Sequence, residues 1–235
     1  MSRFDTTRWS IVLQARGDAE HARAALETLC RIYRPPVMAY VRSRGYTPDA
    51  AEDLVQAFFA RFLDQSWHDG ADRDRGRFRT YLLTILKRYL INSEVEAHAI
   101  KRGGDAHVDS LEIDGGTALA CEDNGPEEAF DRAWAVTVLG RALKHLRDEA
   151  AHAGKRELFD ALREFLIERP DEAEYARTAE RLGLRRNTLA VSVHRMRHRL
   201  RDLIREELAE TTSASVDLDA ELLELRRALG AAVAE

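Results

Sequence analysis

The 235-residue sequence predicts an all-α protein: two small helical domains, an acidic linker between them and a helical extension at the C-terminal end. Three observations carry that expectation. Apolar residues recur at three- and four-residue steps over most of the chain, the spacing that lines one face of a helix. Only 5 Pro and 13 Gly punctuate a composition that is 45% hydrophobic and 33% charged, which suits a helical core better than a disordered or fibrous chain. Charge is also segregated: residues 104–131 hold nine acids and no Lys or Arg, a formal −9 within a chain of net −5. Such a run reads as a solvated linker, and it sets expected domain boundaries at 1–103, 104–131, 132–208 and 209–235.

The first helical pattern runs from about Ala19 to Arg44, with Pro35 and Pro36 expected to kink it or start a second helix. Gly45 ends it. In "TPDAAEDL", Thr47 fits an N-cap, Pro48 the first helical position and the acids the first turn. Along this helix Leu54, Phe58 and Phe62 make an inward stripe, while Glu52, Asp53 and Gln56 lie outside it. A polar loop, "DQSWHDGADRDRGR", leads to a third helix through "FRTYLLTILKRYLINSEVEAHAI", ending at Gly103 and Gly104. Beyond the acidic run, "FDRAWAVTVLGRALKHLRDEAAHAG" and "KRELFDALREFLIE" are two amphipathic helices, closed by Pro170.

Next, "EYARTAERLGLRRNTLAVSVHRMRHRLRDLIRE" reads as a helix, a tight turn at Gly183 and a longer helix, the form of a helix-turn-helix. Between Glu174 and Glu206 it carries nine arginines against four acids, so an acidic chain contains a locally basic unit. Leu189, Val193, Met196 and Leu200 share its inner face; Asn187, Val191, His194, Arg195 and His198 lie opposite. Arg185, Arg186 and Asn187 stand at the helix start, the end that enters a major groove. There Arg pairs with guanine edges and Asn with adenine, while later arginines meet phosphates. The competing reading is a merely solvated arginine face. The last stretch, "SASVDLDAELLELRRALGAAVAE", is a short amphipathic helix after a Ser/Thr-rich hinge.

Several function classes find no foothold. Cys30 and Cys121 lie far apart and outside any Cys-x-x-Cys pattern, which argues against a disulfide framework or a thiolate zinc site. The eight histidines include no His-Glu-x-x-His, no Gly-rich loop follows a strand, and His194 with His198 lack a third ligand. No metal, cofactor or catalytic residue is therefore expected. No apolar run approaches the roughly 20 residues that span a bilayer, and "MSRFDTTRWS" lacks an apolar signal core. A cytoplasmic protein is expected.

Three segments in order resemble an RNA polymerase sigma factor of the extracytoplasmic-function type, within the sigma-70 family, over roughly residues 19–208. "DAAEDLVQAFFARF" is similar to the region-2 helix that docks on the coiled coil of the polymerase β′ subunit. "FRTYLLTILKRYLIN" resembles the promoter-melting helix, and "YARTAERLGLRRNTLAVSVHRMRHRLRDLI" the region-4 reader of the minus-thirty-five element. The resemblance implies a non-enzymatic initiation factor whose partners are core polymerase, through its β′ coiled coil and β flap, and promoter DNA. It implies core-polymerase binding by Asp49, Glu52, Asp53 and Gln56. Minus-ten contacts fall to Arg77, Phe78, Arg79, Tyr81, Lys87 and Arg88, and minus-thirty-five contacts to Arg185, Arg186, Asn187, Thr188, Val191, Ser192, His194, Arg195 and Arg199. By the same resemblance, "WHDGADRDRGRF" and the helix after it hold the flipped base of the minus-ten element, and the acidic linker occupies the RNA-exit path.

Two departures stand out. Glu94 and Glu96 occupy positions where the family usually continues the melting helix with tryptophan and arginines, and Tyr81 stands where a tryptophan is common. Glu94 and Glu96 make a sigma-like regulator or adaptor without promoter melting the alternative reading. "FDTTRWSIVLQA" and the extension after Thr211 resemble a subgroup often encoded near Ser/Thr protein kinases. Such a kinase, or an anti-sigma factor, is the regulator the resemblance implies.

Overall fold

The computed structural model describes residues 19–64, 77–103, 125–168, 170–212 and 218–230. Eight helices fill them: α1 (Ala19–Ser43), α2 (Pro48–Asp64), α3 (Phe78–Gly103), α4 (Pro126–His152), α5 (Arg156–Ile167), α6 (Glu172–Arg181), α7 (Arg186–Ala209) and α8 (Leu218–Leu229). The fold is all-α, and the described residues hold no strand beyond one isolated bridge between Arg77 and Thr212. The N-terminal "FDTTRWSIVLQA", most of the loop after α2, most of the acidic run, the side chain of Glu96 and part of the Ser/Thr-rich hinge lie outside the described residues. Contacts divide the chain into two units, residues 1–133 with 211–216 and residues 134–210 with 217–235.

Unit 1 is built on α1, α2 and α3. Thr47 caps α2 as expected: the Ala50 N–H donates to its Oγ1 at 3.4 Å, and the Ala51 N–H to its carbonyl at 2.8 Å. The inward stripe of α2 is Ala51, Val55, Phe58, Phe59 and Phe62, all buried. Leu54, expected in that stripe, is only half-buried, and Val55 takes the inner place. A step of about 100° per residue sets Leu54 on the edge of the apolar face. The aromatic rings lock the layers together. Phe58 lies 5.4 Å from Tyr89 of α3, Phe62 lies 6.3 Å from Tyr81, and Tyr33 of α1 meets Phe78 edge-on at 4.9 Å.

Of the two outcomes expected at Pro35 and Pro36, a second helix does not start there: α1 is one 25-residue helix that runs through both. An interior proline costs about 3 kcal/mol, and burying one large apolar side chain returns about 1.5–3 kcal/mol. Leu29, Tyr33, Val37, Tyr40 and Val41 are all buried on either side of the pair. Packing therefore outweighs the local break.

Unit 2 holds α6 and α7, joined by a tight turn. Asp171 and Glu174 form a reciprocal capping box at the start of α6, with the Glu174 N–H to Asp171 Oδ1 at 2.7 Å and the Asp171 N–H to Glu174 Oε2 at 3.0 Å. The turn after α6 closes on Gly183 at φ +62, a left-handed conformation that glycine adopts without strain. Two bonds seal it, Leu184 N–H to the Ala179 carbonyl at 2.9 Å and Gly183 N–H to the Glu180 carbonyl at 3.0 Å. Leu162, Ala179, Leu189 and Val193 are the buried centre of this unit, with Tyr175, Leu182 and Met196 packed around them.

One boundary differs from the expectation. Helix α4 begins at Pro126, inside the stretch read as linker, with Glu127 and Glu128 in its first turn. Proline at the first position and acids behind it are a helix-start signal. Among the described residues no helix is long and apolar enough to cross a membrane.

Candidate partner and nucleic-acid interfaces

The acidic edge of α2 is where the periodicity placed it. Asp49, Glu52, Asp53 and Gln56 are all exposed, on the side of α2 away from Phe58 and Phe62. Arg34 of α1 hydrogen-bonds to Glu52 through a half-exposed ion pair. That pairing orients one carboxylate of the edge, and the edge as a whole remains acidic.

The residues expected to meet the minus-ten element separate into two groups. Phe78 and Tyr81 are buried in the aromatic core, and Arg79, 9% exposed, donates from Nη1 to Asp131 Oδ1 at 2.9 Å. Arg77 is half-buried and bridges to Thr212, while the Phe78 N–H donates to the Thr211 carbonyl at 3.2 Å. These side chains hold unit 1 together as placed, so Phe78 and Tyr81 cannot stack on bases without opening the core. Lys87 and Arg88 lie further along: Arg88 is exposed, and Lys87 pairs with Glu127 at 2.6 Å. The lysine pKa is pushed up and the glutamate pKa down, each chiefly by this hydrogen bond.

The outward face of α3 is one that residue-by-residue reading missed. Arg88, Ile91, Asn92 and Val95 are exposed at helical spacing, with Ile91 at 56% and Val95 at 61%. Packing against α1 and α2 turns Phe78, Tyr81 and Tyr89 inward and leaves Ile91 and Val95 outward. Glu94, which stands on the same helix, accepts from the Tyr46 hydroxyl at 2.8 Å and from Arg44 at 3.1 Å. Burial, then the Glu94 bond, raises the Tyr46 pKa to about 12, so its hydroxyl stays a donor at neutral pH. Glu94 thus ties the end of α1 to α3.

On α7, Arg185, Arg186, Asn187, Thr188, Val191, His194, Arg195 and His198 are exposed, and Leu189, Val193 and Leu200 are buried. Ser192 is half-buried and donates to the Thr188 carbonyl at 2.9 Å. Arg185 stands at the N-cap with no side-chain cap, and no acid occupies the first turn. The helix start is therefore positive both by dipole and by side chain. Arg199 departs from this set. Its guanidinium donates to Glu149 at 2.6 Å and Glu206 at 3.0 Å, which raises its pKa and holds that of Glu149 below the usual carboxylate range.

Two more structural charges escaped the sequence pattern. Arg197 donates to the Phe165 carbonyl at 2.6 and 2.9 Å and to the Glu168 carbonyl at 3.0 Å, satisfying the C-terminal end of α5. Glu207, buried, accepts from Arg141 at 2.7 Å and lies 3.3 Å from His145. Replacing Arg197 by alanine is expected to lower the stability of unit 2 by about 1.5–3 kcal/mol, the worth of charge-assisted hydrogen bonds. Alanine at exposed Arg195 is expected to change it by under about 0.5 kcal/mol. Urea unfolding followed by circular dichroism measures both.

The thiol of Cys30 is buried, and desolvation pushes its pKa up to about 12, which leaves it unreactive at neutral pH. Among the described residues no group of three or more His, Cys, Asp or Glu is placed to hold a metal ion.

Comparison with known proteins bears on the same surfaces. No curated protein and no solved structure matches the chain. Residues 29–94 match the family model described as Sigma-70 region 2, a span that takes in most of α1, all of α2 and the greater part of α3. The acidic edge and the outward face of α3 as far as Glu94 both fall within it, and the match supports a sigma-70-type role in polymerase binding and promoter recognition.

Proposed function

We propose that this chain is a sigma factor of the extracytoplasmic-function type, which directs core RNA polymerase to promoters and acts by binding, without catalysis. The observation that carries the reading is the region-2 match over residues 29–94, on a unit whose acidic edge is exposed to solvent. In this reading Asp49, Glu52, Asp53 and Gln56 dock on the β′ coiled coil, and unit 2 approaches the β flap. Arg185, Arg186, Asn187, Thr188, Val191, Ser192, His194 and Arg195 read the minus-thirty-five duplex. The minus-ten strand meets the outward side of α3, where Arg88 and Lys87 supply charge and Ile91 and Val95 supply apolar surface against bases. The protein works in the cytoplasm, and a Ser/Thr protein kinase or an anti-sigma factor sets its activity.

A second reading, a sigma-like adaptor that binds without melting DNA, draws on the burial of Phe78 and Tyr81 and on the acid Glu94 within the same helix. Run-off transcription with core polymerase separates the two. A sigma factor yields discrete transcripts from host promoter fragments, whereas an adaptor yields polymerase binding and no transcript.

A further inference from the structure

Two acids from the start of α4 sit on α3. Glu127 pairs with Lys87 at 2.6 Å, and Asp131, one helical turn on, pairs with Arg79 at 2.9 Å. Between them Phe130 is buried, with its ring 6.5 Å from that of Tyr33. An apolar anchor therefore holds two carboxylates, spaced four residues apart on one helix face, against two cations of α3. All of these residues belong to unit 1.

Resting on the reading of α3 as a contact for the separated DNA strand, we propose that the first turns of α4, anchored by buried Phe130 and by the Asp131 pair with buried Arg79, form an acidic clasp whose Glu127 nucleic acid must displace from Lys87. A carboxylate and a phosphate oxygen satisfy the same donors, so the exchange replaces one charge-assisted bond with another. The Lys87 pair is half-exposed on both sides, and such pairs contribute only about 0–1 kcal/mol to folding. It is thus a weak brace for the fold and an effective occupant of the cation. Glu127 titrates below its ordinary range and Lys87 above its own, so both stay charged through neutral pH and the clasp stays closed until a polyanion competes. The Phe130 anchor keeps Glu127 close once displaced, which makes the contact reversible.

The test measures binding of the full chain to a fluorescein-labelled thymidine oligonucleotide across a salt series. Each cation released onto a single strand adds about 0.7 to the slope of log affinity against log salt. Glu127→Gln is expected to bind more tightly at low salt, with a slope steeper by about 0.7. Between about 50 and 200 mM salt the variant then loses about two- to threefold more affinity than wild type. Because Arg79 is buried, Asp131→Asn is expected to leave the slope unchanged. Adding Lys87→Gln to Glu127→Gln is expected to cancel the gain. Glu128→Gln, on the same turn with the same change in net charge, is expected to produce none.

Equal affinities and slopes for wild type and Glu127→Gln would overturn the clasp while leaving α3 as a strand contact. So would a gain that Glu128→Gln reproduces or that survives Lys87→Gln. Absence of binding by wild type and every variant at the lowest salt would overturn the strand contact, and the clasp with it.

Discussion

Replacing Arg186 and Asn187 together by alanine is expected to weaken binding to a duplex site selected by the wild-type chain about 100-fold or more, with the fold intact. Each bidentate contact to a base edge is worth about 1–3 kcal/mol of discrimination, so two lost contacts exceed a hundredfold over most of that range. Both side chains are exposed at the start of α7, where the capping box of α6 and the Gly183 turn fix the approach of the helix. The ion pair from Arg186 to Glu172, at 3.7 Å between exposed groups, contributes little to stability. Alanine at Arg195, further along the exposed face, should weaken selected and random duplexes alike and reduce the salt slope by about 1. Enrichment of duplexes from a random library, followed by titration of each variant, measures both effects. Equal binding of the selected site by the double variant would remove α7 as the reader.

The largest stability effect is expected at Phe58. Its ring is fully buried and lies 5.1 Å from Phe59, 5.8 Å from Phe62 and 5.4 Å from Tyr89, so it joins α2 to α3. Truncating a buried phenylalanine to alanine removes its transfer energy and leaves a cavity, for a cost of about 3–5 kcal/mol. A domain holds about 5–15 kcal/mol in total, so Phe58→Ala should lower the unfolding midpoint of unit 1 substantially while unit 2 persists. Denaturant unfolding by circular dichroism should then show an early transition followed by one at the wild-type midpoint. A single unchanged transition would contradict the core described here. Because α2 also carries Asp49, Glu52, Asp53 and Gln56, the same variant should lose polymerase binding through loss of the helix itself.

How much of this could be read from the sequence depended on how local each cause was. Thr47 and Pro48 announce α2, and Gly183 announces the turn of the helix-turn-helix, because caps and left-handed turns are set by adjacent residues. The exposed side of α7 followed from period alone. The prolines of α1 left one helix or two open, because their local cost is weighed against packing of Tyr33, Val37 and Tyr40, which is decided between helices. The roles of Arg197, Arg199 and Glu207 were hidden for the same reason: their partners lie 32, 50 and 66 residues away. Nothing in an arginine-rich run says which guanidinium faces solvent and which closes a helix end.

The acidic run was the least legible stretch. Counted as composition, residues 104–131 are a solvated linker, yet Glu127 and Asp131 face cations on α3 and Phe130 is buried between them. The start signal at Pro126 lay within that same run. The outward side of α3 was hidden for a related reason: Phe78, Tyr81, Ile91 and Val95 all stand on one helix whose apolar residues recur on more than one face. Only the packing of α1 and α2 decides that the first pair turns inward and the second outward.

The acidic edge of α2 as a docking surface for core RNA polymerase is the centre of the proposed function. Its most direct test is co-purification of core polymerase with wild type and with a Glu52→Lys, Asp53→Lys variant. The two positions are exposed, so the reversal should change stability by about 1 kcal/mol or less, mostly because Glu52→Lys replaces the ion pair with Arg34 by a repulsion. Inverting both charges is expected to abolish recovery of polymerase while the circular dichroism spectrum and unfolding midpoint stay near those of wild type. Retention of polymerase by the variant, or failure of the wild-type chain to retain it, would contradict the account.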